Sequence, residues 1–205
     1  MGVLYSLVGR QDHRVIQADT MNFETETEQQ PLTSEQEAQL RQLTVARAPA
    51  ALEEMDAAKT EAEFFSSLPG ATLAAMYLER YAQAEELANE NLRLAPSYKD
   101  NWNYGNAIHA AHTVLGLVAL QNGNVQLAIE ELKKSGETPG SPQLDTFGPS
   151  MQLAKALLQR GETATVHGYL QQCRTFWVMG TTWLDIWEDK INSGHIPNFV
   201  MHIYR

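Results

Sequence analysis

With 205 residues, 43% of them apolar and 20% charged, the chain has the composition of an ordinary globular protein with enough mass to bury a core, which excludes a disordered or fibrous class. Fifteen Lys and Arg against 25 Asp and Glu give a formal charge of −10, and no basic run exceeds Lys133-Lys134, so general nucleic-acid binding and docking on anionic membranes are excluded. The single cysteine, Cys173, rules out an intramolecular disulfide; together with the lack of any ~20-residue apolar run it points to a cytoplasmic protein with no membrane span.

Residues 1–31 read as an N-terminal arm and acidic linker. Glu24, Glu26 and Glu28 alternate with threonines ahead of Pro31, a pattern expected to face solvent. Met1 to Val8 is apolar but lacks a basic leader, so no secretory signal is expected. Its opening fits a myristoylation pattern without the second membrane signal that stable anchoring needs.

A helical repeat domain is expected over 32–194. Ser34 and Glu37 form a capping box that predicts a helix over 34–47, ending near Pro49. A second helix follows over 50–67, with Leu52, Met55 and Ala62 to Phe65 as its apolar stripe, and Pro69-Gly70 as its stop. The stretch 73–94 reads as one half-repeat, with small Ala84 at its centre and Pro96 after it. A unit over 100–135 takes Asp100 or Asn101 as its cap and turns at Gly123; a further unit covers 148–176. Thr181-Thr182 caps a last helix carrying Trp183, Trp187 and Ile191, which ends at Gly194, and 195–205 is a tail with apolar anchors. No alternating β-branched run occurs, so the fold class is all-α.

One pattern occurs twice. Leu115-Gly116, Ala119-Leu120, Gly123, Ala128, Leu132 and Ser135 are followed, 38 positions later, by Leu153-Ala154, Leu157-Leu158, Gly161, Val166, Leu170 and Cys173. Fixed-period similarity of this length marks stacked supersecondary units. These residues resemble tetratricopeptide repeats: a Leu-Gly/Ala pair on the first helix, a turn glycine, and a small residue on the second. The resemblance spans about residues 73–176, and the wording of Lys99 to Asn106 and Thr138 to Gln143 is similar to bacterial proteins of this type. It implies an α-α superhelix of antiparallel helix pairs closed by the C-terminal helix, acting as a non-catalytic scaffold for a protein or peptide segment. The Lys and Asn by which some members grip chaperone tails are not matched, since Thr113 and Leu117 stand in their places.

The candidate binding face follows Asp100. Trp102, Asn106, His109 and Thr113 recur at helical spacing, with Asn103 beside them, and could present apolar area and hydrogen bonds to a bound segment. Packing inside the helix stack is the competing role for the same residues. Gly136 to Ser150 is expected to be a long connecting loop that also lengthens the repeat beyond the family's 34, either with Gln143, Asp145 and Phe147 turned towards the groove or as a proline-stiffened connection whose Leu144 and Phe147 plug the gap between two units. An alternative function is an enzyme or regulatory subunit with a small-molecule or metal site around His109, His112 and Asp145. No third matched ligand or catalytic motif accompanies them, so no metal, cofactor or catalytic residue is expected. Self-association through the terminal cap is a third reading.

Overall fold

The computed structural model describes Glu28, residues 32–199 and His202, and among these the chain is all-helical, without a strand. The arm and linker expected over most of 1–31, and the end of the expected tail, lie outside the described residues.

Helix α1 (Ser34–Asp56) starts one residue from the expected cap. The Thr33 hydroxyl accepts from the Gln36 N–H, and the Gln36 side chain accepts from the Thr33 N–H. Glutamine completes this reciprocal pair as well as glutamate does. The expected stop near Pro49 is also corrected, because α1 continues through it. Pro49 is exposed, so water can satisfy the carbonyl that its missing N–H leaves open.

Helix α2 (Glu61–Tyr77) is started by the Thr60–Glu63 capping box and likewise runs through Pro69-Gly70. Pro69 is buried, so packing of this stretch into the core outweighs the local stop signal, while Gly70 is exposed and a Cβ there would only reach ordinary contact with the Ala51 Cβ, at 4.0 Å. The stretch 73–94 is not one half-repeat. It divides into the end of α2 and helix α3 (Tyr81–Leu94), through Glu79 at φ 58.

After a 3-10 turn (Ala95–Tyr98) come α4 (Tyr104–Gln121), α5 (Val125–Gly136), α6 (Pro142–Phe147), α7 (Gln152–Leu158) and α8 (Thr163–Phe176). A second 3-10 turn (Val178–Gly180) leads into α9 (Thr181–Asn192). Four helices end alike. Arg80, Asn124, Glu162 and His195 each donate back across the turn, to Ala75, Ala119, Leu157 and Lys190. The residue before each has positive φ: Glu79, Gly123, Gly161 and Gly194.

The 38-residue echo maps onto this plan. Gly123 and Gly161 make the turns, while Ala128, Val166, Leu132, Leu170, Ser135 and Cys173 are all buried. Helix α2 packs on α1, α3 and α4; α4 packs on α3, α5 and α7; α5 packs on α7 and α8; α9 packs on α8. Helix α4 is therefore enclosed on most sides. A Cβ on its Gly116 would lie 2.3 Å from a Leu153 methyl, so any larger residue there would force the buried Leu153 side chain to move.

Three further expectations are corrected. Neither Asp100 nor Asn101 caps α4: Asn103 holds that position without a side-chain cap bond, and the Asn101 carboxamide accepts from the Asn103 N–H instead. Thr181-Thr182 does not cap α9, whose N-cap is Gly180. Finally, Glu28 does not face solvent. It is buried, ion-paired to Lys190 at 2.9 Å, and accepts from the N–H groups of Asn198 and Phe199. Phe199 and His202 pack with Trp177 and Trp187 into the far end of the core, and the His202 carbonyl accepts from the Met151 N–H at 2.6 Å. No described helix is long and apolar enough to cross a membrane.

Candidate functional site

Proline 69 cannot supply the N–H that the Phe65 carbonyl, four residues earlier, would receive in an unbroken helix. The Asn103 carboxamide takes its place, donating to the carbonyls of Phe65 at 3.3 Å and Ser66 at 3.1 Å. This satisfies a buried acceptor and fixes the start of α4 against the middle of α2.

One turn on, Asn106 donates to the Asn103 side-chain oxygen at 2.8 Å and to that of Gln143 at 2.5 Å, and accepts from the Ser141 hydroxyl at 2.5 Å. The Thr138 hydroxyl donates to the Gly105 carbonyl at 2.8 Å. A Cβ on Gly105 would lie 1.8 Å from the Gly140 carbonyl oxygen, so the segment after α5 lies directly on α4. The connection expected to be a plain loop is thus pinned at several points and contains α6. Its Ser141 hydroxyl caps α6 by accepting from the Leu144 N–H.

His109 ties the next layer together. Its Nδ1 donates to the Ser135 carbonyl at 3.2 Å, and its Nε2 accepts from the Ser150 N–H at 3.0 Å. That pair of partners specifies the neutral Nδ1–H tautomer. Burial, the largest influence, pushes its pKa down to about 4; the Ser135 carbonyl opposes this weakly. The Ser150 carbonyl in turn accepts from the Tyr169 hydroxyl, linking α4 to α8.

These elements enclose a cleft of about 220 Å³ between α2, α4 and α6. Pro69, Gly70 and Leu73 form one wall, Asn106, His109 and Ala110 the floor, and Gln143, Leu144, Phe147, Gly148 and Ser150 the other wall. No charged side chain lines it. The lining is chiefly apolar, and Phe147 at its edge is 52% exposed. The Gln143 oxygen is used by Asn106, which leaves its Nε2 amide as a donor without a partner among the described residues.

Four residues of the expected face (Asn106, His109, Gln143 and Phe147) therefore meet at one cleft. The other four do not line it. Trp102 lies in the turn before α4 and is 52% exposed; Asn103 and Thr113 are buried in the packing; Asp145 accepts from the Val178 N–H at 3.1 Å. Nor are His109, His112 and Asp145 assembled into one group. His112 donates to Glu131 at 2.7 Å, and Lys134 also donates to Glu131 at 2.7 Å. Burial raises the Glu131 pKa, but the His112 and Lys134 hydrogen bonds outweigh it and hold the group below its usual value. Among the described residues no cluster of three His, Cys, Asp or Glu could hold a metal ion. Burial likewise raises the Cys173 thiol far above its usual range, so it is not a nucleophile at neutral pH.

Pro69, Gly70 and Leu73 escaped the sequence reading because the proline and glycine there look like a helix stop. Ser150 escaped because its contribution is a backbone N–H. Compared with known proteins, the chain matches no family model, no curated protein and no solved structure.

Proposed function

We propose that this protein is a non-catalytic scaffold, built as a tetratricopeptide-like superhelix of antiparallel helix pairs with a capping helix, that holds a cytoplasmic protein or peptide segment. The uncharged cleft between α2, α4 and α6 carries this reading. Its volume is below the roughly 300–1,000 Å³ of small-molecule sites, and suits one bulky apolar side chain of an extended segment. Leu73, Leu144 and Phe147 would supply apolar contact, and the spare Gln143 amide would donate to a backbone carbonyl of the bound segment. His109 stays neutral above about pH 4, so the floor adds no charge for a ligand to match.

Panning a phage-displayed library of random peptides against the full chain tests this. Enriched peptides should share a bulky apolar residue, and Phe147→Ala should weaken their binding by about tenfold or more, a typical anchor-contact loss, with the circular dichroism unchanged. No enrichment, or binding indifferent to both Phe147→Ala and Leu73→Ser, would refute it.

A further inference from the structure

The first half of α1 is held in an unusual way. From Ser34 to Arg47 none of its residues is buried, whereas Ala48, Leu52 and Met55, around and beyond Pro49, belong to the core. Helix segments of this length are marginal in water by themselves, and with only Leu40, Thr44 and Val45 half-buried the segment needs more than apolar packing to stay in place. Polar contacts supply the rest. Arg41 pairs with Glu79 in the turn between α2 and α3, and Glu37 pairs with Lys155 of α7 at 2.9 Å. The Leu32 N–H donates to the Asn198 side chain at 3.2 Å, and Glu28 pairs with Lys190 of α9.

Beneath the segment lies a polar cavity of about 390 Å³. Arg41 and Val45 of α1 form its roof, and Tyr77, Tyr81, Gln121 and Gln152, drawn from four different helices or their ends, form its base. Pro49 stands where the exposed half of α1 meets the packed half, and it deprives the helix of one hydrogen bond at that point.

We infer that the first half of α1 is a hinged strap, pivoting at Pro49 and latched by the Glu37–Lys155 and Arg41–Glu79 ion pairs, which closes the polar cavity over Tyr77, Tyr81, Gln121 and Gln152. Both latches are largely or partly exposed, with Arg41 and Glu79 side chains 57% and 55% accessible, so each contributes little and both yield to salt or to a competing charged partner, whereas buried Glu28, ahead of the helix, keeps its ties to Lys190, Asn198 and Phe199. A released strap loses its partners and frays, because a short helix without packing is unstable. The strap lies at the C-terminal ends of α2 and α4 and its cavity shares no lining residue with the apolar cleft.

Amide exchange on the full chain tests the device. Between about 0.1 M and about 1 M NaCl the screening length falls from about 10 Å to about 3 Å. Amides 38–47 should then exchange about tenfold faster, while those of 50–56 and of α4 keep their rates. At low salt, Lys155→Glu combined with Glu79→Lys, which breaks both latches from outside the strap, should produce the same local acceleration. Adding Glu37→Lys to Lys155→Glu should slow exchange again by restoring that pair with reversed signs. If amides 38–47 respond to neither salt nor substitution, or accelerate together with α4, the strap is refuted.

Discussion

His109 combines complete burial with two hydrogen bonds that use both ring nitrogens in opposite roles. Its protonation would turn the Nε2 acceptor into a donor facing the Ser150 N–H. Folded, the imidazole takes up its proton only at about pH 4; unfolded, it does so near 6.5. Between these values the unfolded chain binds more protons, so this contribution to stability is complete above about pH 6.5 and is lost as pH falls towards 4. The full loss is roughly 3 kcal/mol at most. Urea titrations of the parent chain and of His109→Gln should therefore differ most at neutral pH and converge by a similar amount towards pH 4. A difference that stays constant with pH would refute the neutral buried histidine. The spacing in the sequence located His109 on the right face of the right helix, but a histidine facing a ligand and one facing a carbonyl have the same period.

Element boundaries show where local signals yield to packing. Pro49 and Pro69 each look like a stop, and each lies inside a helix. Their helices differ in how the lost hydrogen bond can be made good: exposed Pro49 leaves its carbonyl within reach of solvent, whereas at buried Pro69 the Asn103 carboxamide donates instead. A double-mutant cycle isolates that repair. Asn103→Ala should destabilise the chain by about 1–3 kcal/mol, the cost of an orphaned buried acceptor. In a Pro69→Ala background the backbone N–H is restored and the same substitution should cost clearly less, as read by urea midpoints. Equal costs in both backgrounds would show that Asn103 does not serve the Phe65 carbonyl. Glu79 illustrates the converse: its turn has the backbone form that Gly123 and Gly161 adopt, without a glycine to announce it. That missing glycine is why 73–94 read as one stretch.

Across the whole molecule, each helix pair touches the next through α4, through the Asn106–Ser141–Gln143 links and through the His109–Ser150–Tyr169 chain. The two ends of the described chain also meet, where Glu28 receives the N–H groups of Asn198 and Phe199. An array tied in this way should unfold as a unit, unlike open repeats that fray from their ends. In a Trp102→Phe background the remaining tryptophans, Trp177, Trp183 and Trp187, report the C-terminal end by fluorescence, whereas circular dichroism reports every helix. Their urea transitions should coincide. Gly116→Ala, which forces a methyl against Leu153, should shift both by the same amount, about 1–3 kcal/mol. Separate transitions would mean independently melting pairs.

Sequence alone determined the all-helical class, the turns at Gly123, Gly161 and Gly194, the buried small residues of the 38-residue echo and the tryptophan-rich last helix. These follow from period, turn chemistry and residue volume, which act within a few helical turns. Only the tertiary structure decided that Asn103 and Thr113 are interior, that Asn106, His109, Gln143 and Phe147 share a cleft with Pro69 and Leu73, and that Glu28 is buried. Those outcomes depend on which carbonyl, N–H or charge arrives from a distant part of the chain, and a side chain's own position in the sequence carries no record of that.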